Sequence, residues 1–163
     1  MQKKRKNIVK TMCINALIVA LYIALVYAFG DLSFGFANGI ISFRVAEILI
    51  VLCCFNKKFV FGAIAACLCA NLIGGLPIDI IVGTIQTAIS VLILAYLKNK
   101  QLSIILASLV CGIIIGLELY YLNLTVIGLW IILTTFLGEL IILEIGYLLF
   151  KKYKDLTDLF NKM

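Results

Sequence analysis

The residues of this chain that could do chemistry are few, and most are acidic. Asp31, Glu47, Asp79 and Glu118 fall at the ends of apolar runs, and Glu139 and Glu144 fall within the last run. A carboxylate at mid-membrane costs roughly 2.5–3.5 kcal/mol on insertion scales, so such groups usually face a cavity or a partner. Arg44 and Glu47 are three residues apart, one helical turn, and can neutralise each other. Asp79, Glu118 and Glu139 are then left without a cationic side chain in the same half of the molecule. Singly, each could be protonated or could wet the rim. Together, on separate helices at similar depth, they suggest a pocket that complements a cationic or donor-rich solute.

Neutral polar residues fall in with the acids. Asp79, Gly83, Gln86 and Ser90 recur at steps of four, three and four, which is a single helical stripe. Ala63, Cys67, Ala70, Asn71 and Gly74 form a small-residue face that ends in a side-chain amide, and Thr135 lies one turn before Glu139 with Trp130 further out. Small residues at such spacing also serve close helix packing, whereas the amides of Asn71 and Gln86 need a partner in an apolar medium. Ala16, Ala20 and Ala24 make an A-x-x-x-A-x-x-x-A face in the first segment, which could receive another helix of this chain or present a flat surface to another protein.

These residues must be positioned by apolar elements. The chain of 163 residues is 64% hydrophobic and 13% charged, against roughly 45–50% apolar and about 25% charged for an ordinary soluble domain. Too few polar side chains exist to cover a soluble fold. The same composition excludes a disordered chain and a disulfide-stapled scaffold. The six cysteines show no C-x-x-C spacing and the chain has no histidine, so neither a metal site nor a cofactor is expected, and the thiols read as small packing residues. The start, MQKKRKNIVK, resembles the basic region of a signal peptide, but the apolar run after it is too long and lacks an A-x-A site. It reads as a retained span.

Six apolar segments follow one another, at about residues 8–29, 43–55, 59–73, 78–97, 102–122 and 126–150. The expected fold is an all-α integral membrane protein, one domain over residues 1–163, because in lipid each backbone group must pair within its own segment. The stretch Asp31 to Ser42 could fold back over a cavity, Gly74-Gly75-Leu76-Pro77 is a turn signal, and Lys151 to Met163 is a basic amphipathic tail. With six transmembrane helices, both termini and the loops after the second and fourth spans share one side. That side collects every Lys and Arg except Arg44. The positive-inside rule therefore predicts cytoplasmic N- and C-termini in the cell membrane, and the net charge of +6 reflects topology, with no nucleic acid as partner.

Several stretches carry a family resemblance: Phe43-Arg44-Val45-Ala46-Glu47, Ala70-Asn71-Leu72-Ile73-Gly74-Gly75, Ile78-Asp79-Ile80-Ile81-Val82-Gly83-Thr84, Gly116-Leu117-Glu118-Leu119 and Gly138-Glu139-Leu140. In order and spacing they resemble the queuosine precursor transporter (QueT) family, whose members are substrate-binding S components of energy-coupling factor (ECF) transporters. The chain departs from the family at Cys53-Cys54-Phe55-Asn56 and around Gln86, where members are more uniformly apolar.

The resemblance implies a six-helix S component. Its partners would be a transmembrane scaffold subunit and two cytoplasmic ATPases, with Ala16, Ala20 and Ala24 as the scaffold-docking face. Such a subunit topples in the bilayer to carry its solute inward. The chain has no G-x-x-x-x-G-K-[ST] loop, so it is expected to be no enzyme, and energy must come from the ATPases. The implied solute is a 7-deazaguanine, either a queuosine precursor base or queuine. Its donor-rich edge would meet Glu118 or Glu139, its carbonyl Asn71 or Gln86, and its ring Trp130 or Tyr121. A cationic substituent would favour a second carboxylate such as Asp79, while Arg44 and Glu47 would fix the end of the second helix. Competing readings are an S component for another micronutrient such as thiamine, a cation-coupled secondary carrier using the same carboxylates, and an intramembrane enzyme, which could draw only on carboxylate chemistry.

Overall fold

A computed structural model describes residues 2–30, 44–74, 77–122 and 128–153. Asp31, the fold-back stretch expected from Asp31 to Ser42, the Gly75-Leu76 part of the turn and the tail beyond Tyr153 lie outside the described residues. Within them the chain forms five α-helices: α1 (Gln2–Phe29), α2 (Val60–Gly74), α3 (Val82–Tyr96), α4 (Lys100–Tyr121) and α5 (Gly128–Lys152). A 3₁₀ helix, Val45–Cys54, stands between α1 and α2, and a short one, Lys57–Phe59, leads into α2.

Four helices are long and apolar enough to cross a membrane: Ile8–Phe29, Lys57–Gly74, Lys100–Tyr121 and Leu129–Lys152. Val45–Cys54 and Val82–Tyr96 are apolar but shorter. Their reach is greater than their residue counts suggest. At about 2.0 Å per residue the 10-residue 3₁₀ helix covers roughly 20 Å, a third more than an α-helix of that length. In α3 the helical path begins early, because the amides of Val82 and Gly83 already bond to the carbonyls of Ile78 and Asp79, both at 3.0 Å. Asp79 thus sits in the turn that feeds α3.

The second apolar segment also differs in kind from the α-helix that the sequence suggests. A tight helix is tolerable here because neighbours enclose it. It packs against α1, α3 and α5, and Ala46, Glu47, Ile50, Val51, Leu52, Cys53 and Cys54 are all buried. A segment covered on several faces does not need the 3.6-residue stripe that a half-exposed helix needs.

Packing follows chain order. α1 lies on α2, α2 on α3, α3 on α4 and α4 on α5, and the 3₁₀ helix closes the ring between α5 and α1. Ile50, Val51, Val91, Leu94, Ile104 and Leu143 fill the middle. Lipid tails are as apolar as leucine, so close van der Waals contact, rather than hydrophobic collapse, holds such helices together. The α4–α5 crossing shows this: a Cβ on Gly116 would lie 2.6 Å from Ile132 Cγ1 and 2.9 Å from its Cα, and one on Gly112 would lie 2.8 Å from Phe136 Cβ.

One end of the bundle is basic. Asn56 caps Lys57–Phe59 by accepting from the Lys58 amide, and Asn99 caps α4 by accepting from that of Leu102. Lys100 Nζ donates to the carbonyls of Leu94 and Leu97, at 3.1 Å each, which satisfies last-turn acceptors of α3. Lys57 Nζ rests 4.2 Å from the centre of the Tyr96 ring. The acids Glu47, Asp79 and Glu118 lie toward the opposite end.

Candidate substrate-binding site

Arg44, immediately before the 3₁₀ helix, is the hub of a buried polar cluster. Its Nη1 donates to Gln86 Oε1 at 2.9 Å and lies 2.8 Å from Glu47 Oε1. The second contact is an ion pair without an aligned hydrogen bond, since neither Glu47 oxygen meets a well-directed donor. Glu47 follows Arg44 by one 3₁₀ turn, and its amide bonds to the Arg44 carbonyl at 2.8 Å. The spacing of three therefore brings the two charges together.

Two carboxyl pairs surround the hub. Glu139 on α5 faces Glu47, and Cys111 on α4 borders both Arg44 and Glu139. Near the rim, Glu118 at the end of α4 faces Asp79 in the turn before α3. Glu139 is 1% and Glu118 5% exposed, yet none of their four carboxyl oxygens meets a well-directed hydrogen-bond donor among the described residues. Thr135 Oγ1, one turn from Glu139, is buried and unpartnered as well. Among the described residues Arg44 is the buried cation set against these four acids. Buried acceptors without donors are costly, and two facing carboxyls either share a proton or admit a positive group. The arrangement suits a guest that brings N–H donors or positive charge.

The stripe on α3 forms the remaining wall. Gly83, Gln86 and Ser90 are buried, as the spacing predicts. Gln86 Nε2 donates to Ser90 Oγ at 3.1 Å, which in turn donates to the Ala107 carbonyl at 3.3 Å. Asn71 Nδ2 on α2 donates to the Asp79 carbonyl at 2.8 Å and reaches Cys67 Sγ at 3.4 Å. Thr87 Oγ1 lies 3.1 Å from the same sulfur. Gly83 is what lets Asn71 in: a Cβ there would stand 2.9 Å from Asn71 Nδ2.

The structure thus brings Arg44, Glu47, Asn71, Asp79, Gln86, Glu118 and Glu139 to one end and interior of the bundle. It does not bring Tyr121 or Trp130 there. Tyr121 is 78% and Trp130 52% exposed, and Tyr121 makes an edge contact with Tyr120. The ring beside the cluster is Tyr22 on α1, buried and in the field of Arg44, Glu47 and Glu139. Sequence reasoning passed over Tyr22 and treated Cys111 as packing. Cys111 shares the buried stripe Ile104, Ser108, Cys111, Ile115 and Glu118 of α4, a signal that could have found it. For Tyr22 the only hint was its spacing of four from Ile18 and Val26, which are also buried.

Ala16, Ala20 and Ala24 are all exposed, on the side of α1 opposite Ile18, Tyr22 and Val26. No other helix of the described chain uses that face. Two cavities in the structure lie away from the acids. One, of about 120 Å³, sits between α1 and α2 beside Val26, Tyr27 and Ala70, and the other is at the basic end.

An all-helical fold among the described residues, with four membrane-length apolar helices and a charged cluster enclosed by them, defines a multi-pass membrane protein. Comparison with protein families narrows the class to a transporter: the model for the QueT transporter matches residues 12–155, and the chain belongs to that family. Comparisons with curated proteins and with solved structures return no match.

Proposed function

We propose that this transporter is the substrate-binding S component of an ECF transporter and imports a queuosine precursor, a 7-deazaguanine base or queuine. The observation that carries the proposal is the set of buried carboxyl oxygens on Glu118 and Glu139, which face other carboxyls and meet no well-directed hydrogen-bond donor among the described residues. A guanine-type edge offers adjacent N–H donors to one such carboxylate, and a cationic substituent answers a second. The carbonyl of the base accepts from Arg44, Asn71 or Gln86, and Tyr22 supplies the aromatic face. The amides of Asn71 and Gln86 already donate within the protein, so binding exchanges those bonds for bonds to the base.

The exposed face of Ala16, Ala20 and Ala24 is the docking surface for the scaffold subunit in this reading, and two ATPases supply the energy. The protein acts as a carrier and performs no catalysis. Six spans place both termini in the cytoplasm, on the side of the lysine-rich corners.

The test is direct. Protein purified without added solute is examined by mass spectrometry for a co-purified deazaguanine, and its affinity for such bases is measured by calorimetry. Uptake into liposomes is then assayed with and without the coupling subunits. ATP-dependent uptake only in their presence supports the proposal. The facing carboxyl pairs favour one other reading, a cation-coupled carrier, and ion-driven uptake by the chain alone would establish that instead. Binding of thiamine or another micronutrient in place of deazaguanines would keep the S-component role and overturn the substrate.

A further inference from the structure

At the basic end, between the first half of α1 and the Lys57–Phe59 corner, lies an open cavity of about 610 Å³ lined by Ile8, Met12, Phe61, Lys57 and Lys58 together with Thr11 and Asn15. Its walls are held in place. Asn15 Nδ2 donates to the Lys58 carbonyl at 3.1 Å, and Asn15 packs so tightly on Gly62 that a Cβ there would lie 2.7 Å from its Oδ1. Lys57 is braced over the Tyr96 ring. Phe61 is 81% and Met12 65% exposed, so the apolar wall is left uncovered by the described residues.

We infer that this groove is a binding site for an anionic phospholipid, its phosphate between Lys57 and Lys58 and an acyl chain along Ile8, Met12 and Phe61. Charge complementarity selects the occupant. Two adjacent lysines stand beside an aliphatic and aromatic trough, no lining residue is acidic, and α1 adds Lys10 at the same end. Basic pockets between membrane helices are suited to anionic headgroups, and the long lysine stems let the ammonium groups reach the interface while their methylenes stay in the apolar layer. A soluble anion would use the lysines and leave the trough empty, whereas a phospholipid fills both. The inference is independent of the proposed solute, because no residue of the Arg44 cluster lines the groove.

The experiment is native mass spectrometry of the full-length protein in detergent, titrated with phosphatidylglycerol or with phosphatidylcholine of the same acyl chains. Phosphatidylglycerol is expected to be retained in preference. In the double variant Lys57→Gln/Lys58→Gln its affinity should fall by about fivefold for each lysine, on the order of 25-fold in all, with phosphatidylcholine unaffected. The control Lys151→Gln/Lys152→Gln removes equal charge from exposed sites at the end of α5 and should leave retention unchanged, while Phe61→Ser should weaken both lipids. Equal losses in the two lysine doubles would overturn the inference in favour of diffuse surface charge. So would equal retention of the two lipids by the parent protein, or glycerol phosphate binding as tightly as the lipid.

Discussion

Replacing Arg44 by methionine tests the electrostatic core of this structure. Methionine keeps much of the side-chain volume but removes the cation that lies 2.8 Å from Glu47 and 2.9 Å from Gln86. Gln86 suffers little, because Thr87 Oγ1 still lies 3.2 Å from its Oε1 and Ser90 still accepts from its Nε2. The loss therefore falls on Glu47, fully buried and then facing Glu139 with no positive charge between them. Breaking a buried pair by removing one partner costs about 3–5 kcal/mol, which for a chain of this size corresponds to a fall of roughly 6–20 °C in melting temperature. The assay is thermal unfolding in detergent of the parent, Arg44→Met, Glu47→Gln and the double variant. If the penalty is an orphaned carboxylate, Glu47→Gln in the Arg44→Met background should restore several degrees, a coupling of about 0.5–3 kcal/mol. A melting temperature for Arg44→Met close to the parent, or strictly additive losses in the double variant, would refute the reasoning.

Other outcomes follow from the same geometry. Under the proposed function, Glu118→Gln and Glu139→Gln should each weaken deazaguanine binding in calorimetry by roughly 10–100-fold, the worth of a charge-assisted hydrogen bond; unchanged affinity in both would remove the acids from the site. Gly116→Ala should lower the melting temperature by the equivalent of about 1–3 kcal/mol, because its methyl meets the backbone of Ile132 as well as a side chain. Gly30 has φ +50°, and a Cβ there would meet nothing within 4 Å among the described residues, so Gly30→Asn should be nearly neutral while Gly30→Val costs about 1–3 kcal/mol, read from the same melts. Under the proposed S-component role, Ala20→Trp on the exposed face of α1 should abolish ATP-dependent uptake with the coupling subunits and leave solute affinity intact, as measured by transport and calorimetry on one preparation.

Much of the site was legible because apolar surroundings make each polar residue informative. The spacing of three between Arg44 and Glu47 predicted their pairing, and the stripe Gly83, Gln86 and Ser90 predicted one buried wall. The aromatic partner was not legible. Tyr121 and Trp130 are near Glu118 and Thr135 in the chain, but each lies on the outward side of its helix, and a few residues' difference in sequence turns a side chain from interior to lipid. Tyr22 belongs to a helix that carries no acid, so no local pattern could connect it with Glu47 or Glu139.

By itself the amino-acid order determined that this is a helical membrane protein with its lysines gathered at alternate corners and a surplus of carboxyls at the other end. Those properties are local: each run of apolar residues pairs its own backbone, and each loop carries its own charge. Only the tertiary structure decided which acid faces which, that the second segment is drawn out as a 3₁₀ helix, and that one guanidinium joins Glu47 to Gln86. Such contacts depend on the rotation and crossing of helices distant in sequence. These are set by close approaches such as Gly116 on Ile132 and Gly83 on Asn71, which appear only once the helices are packed.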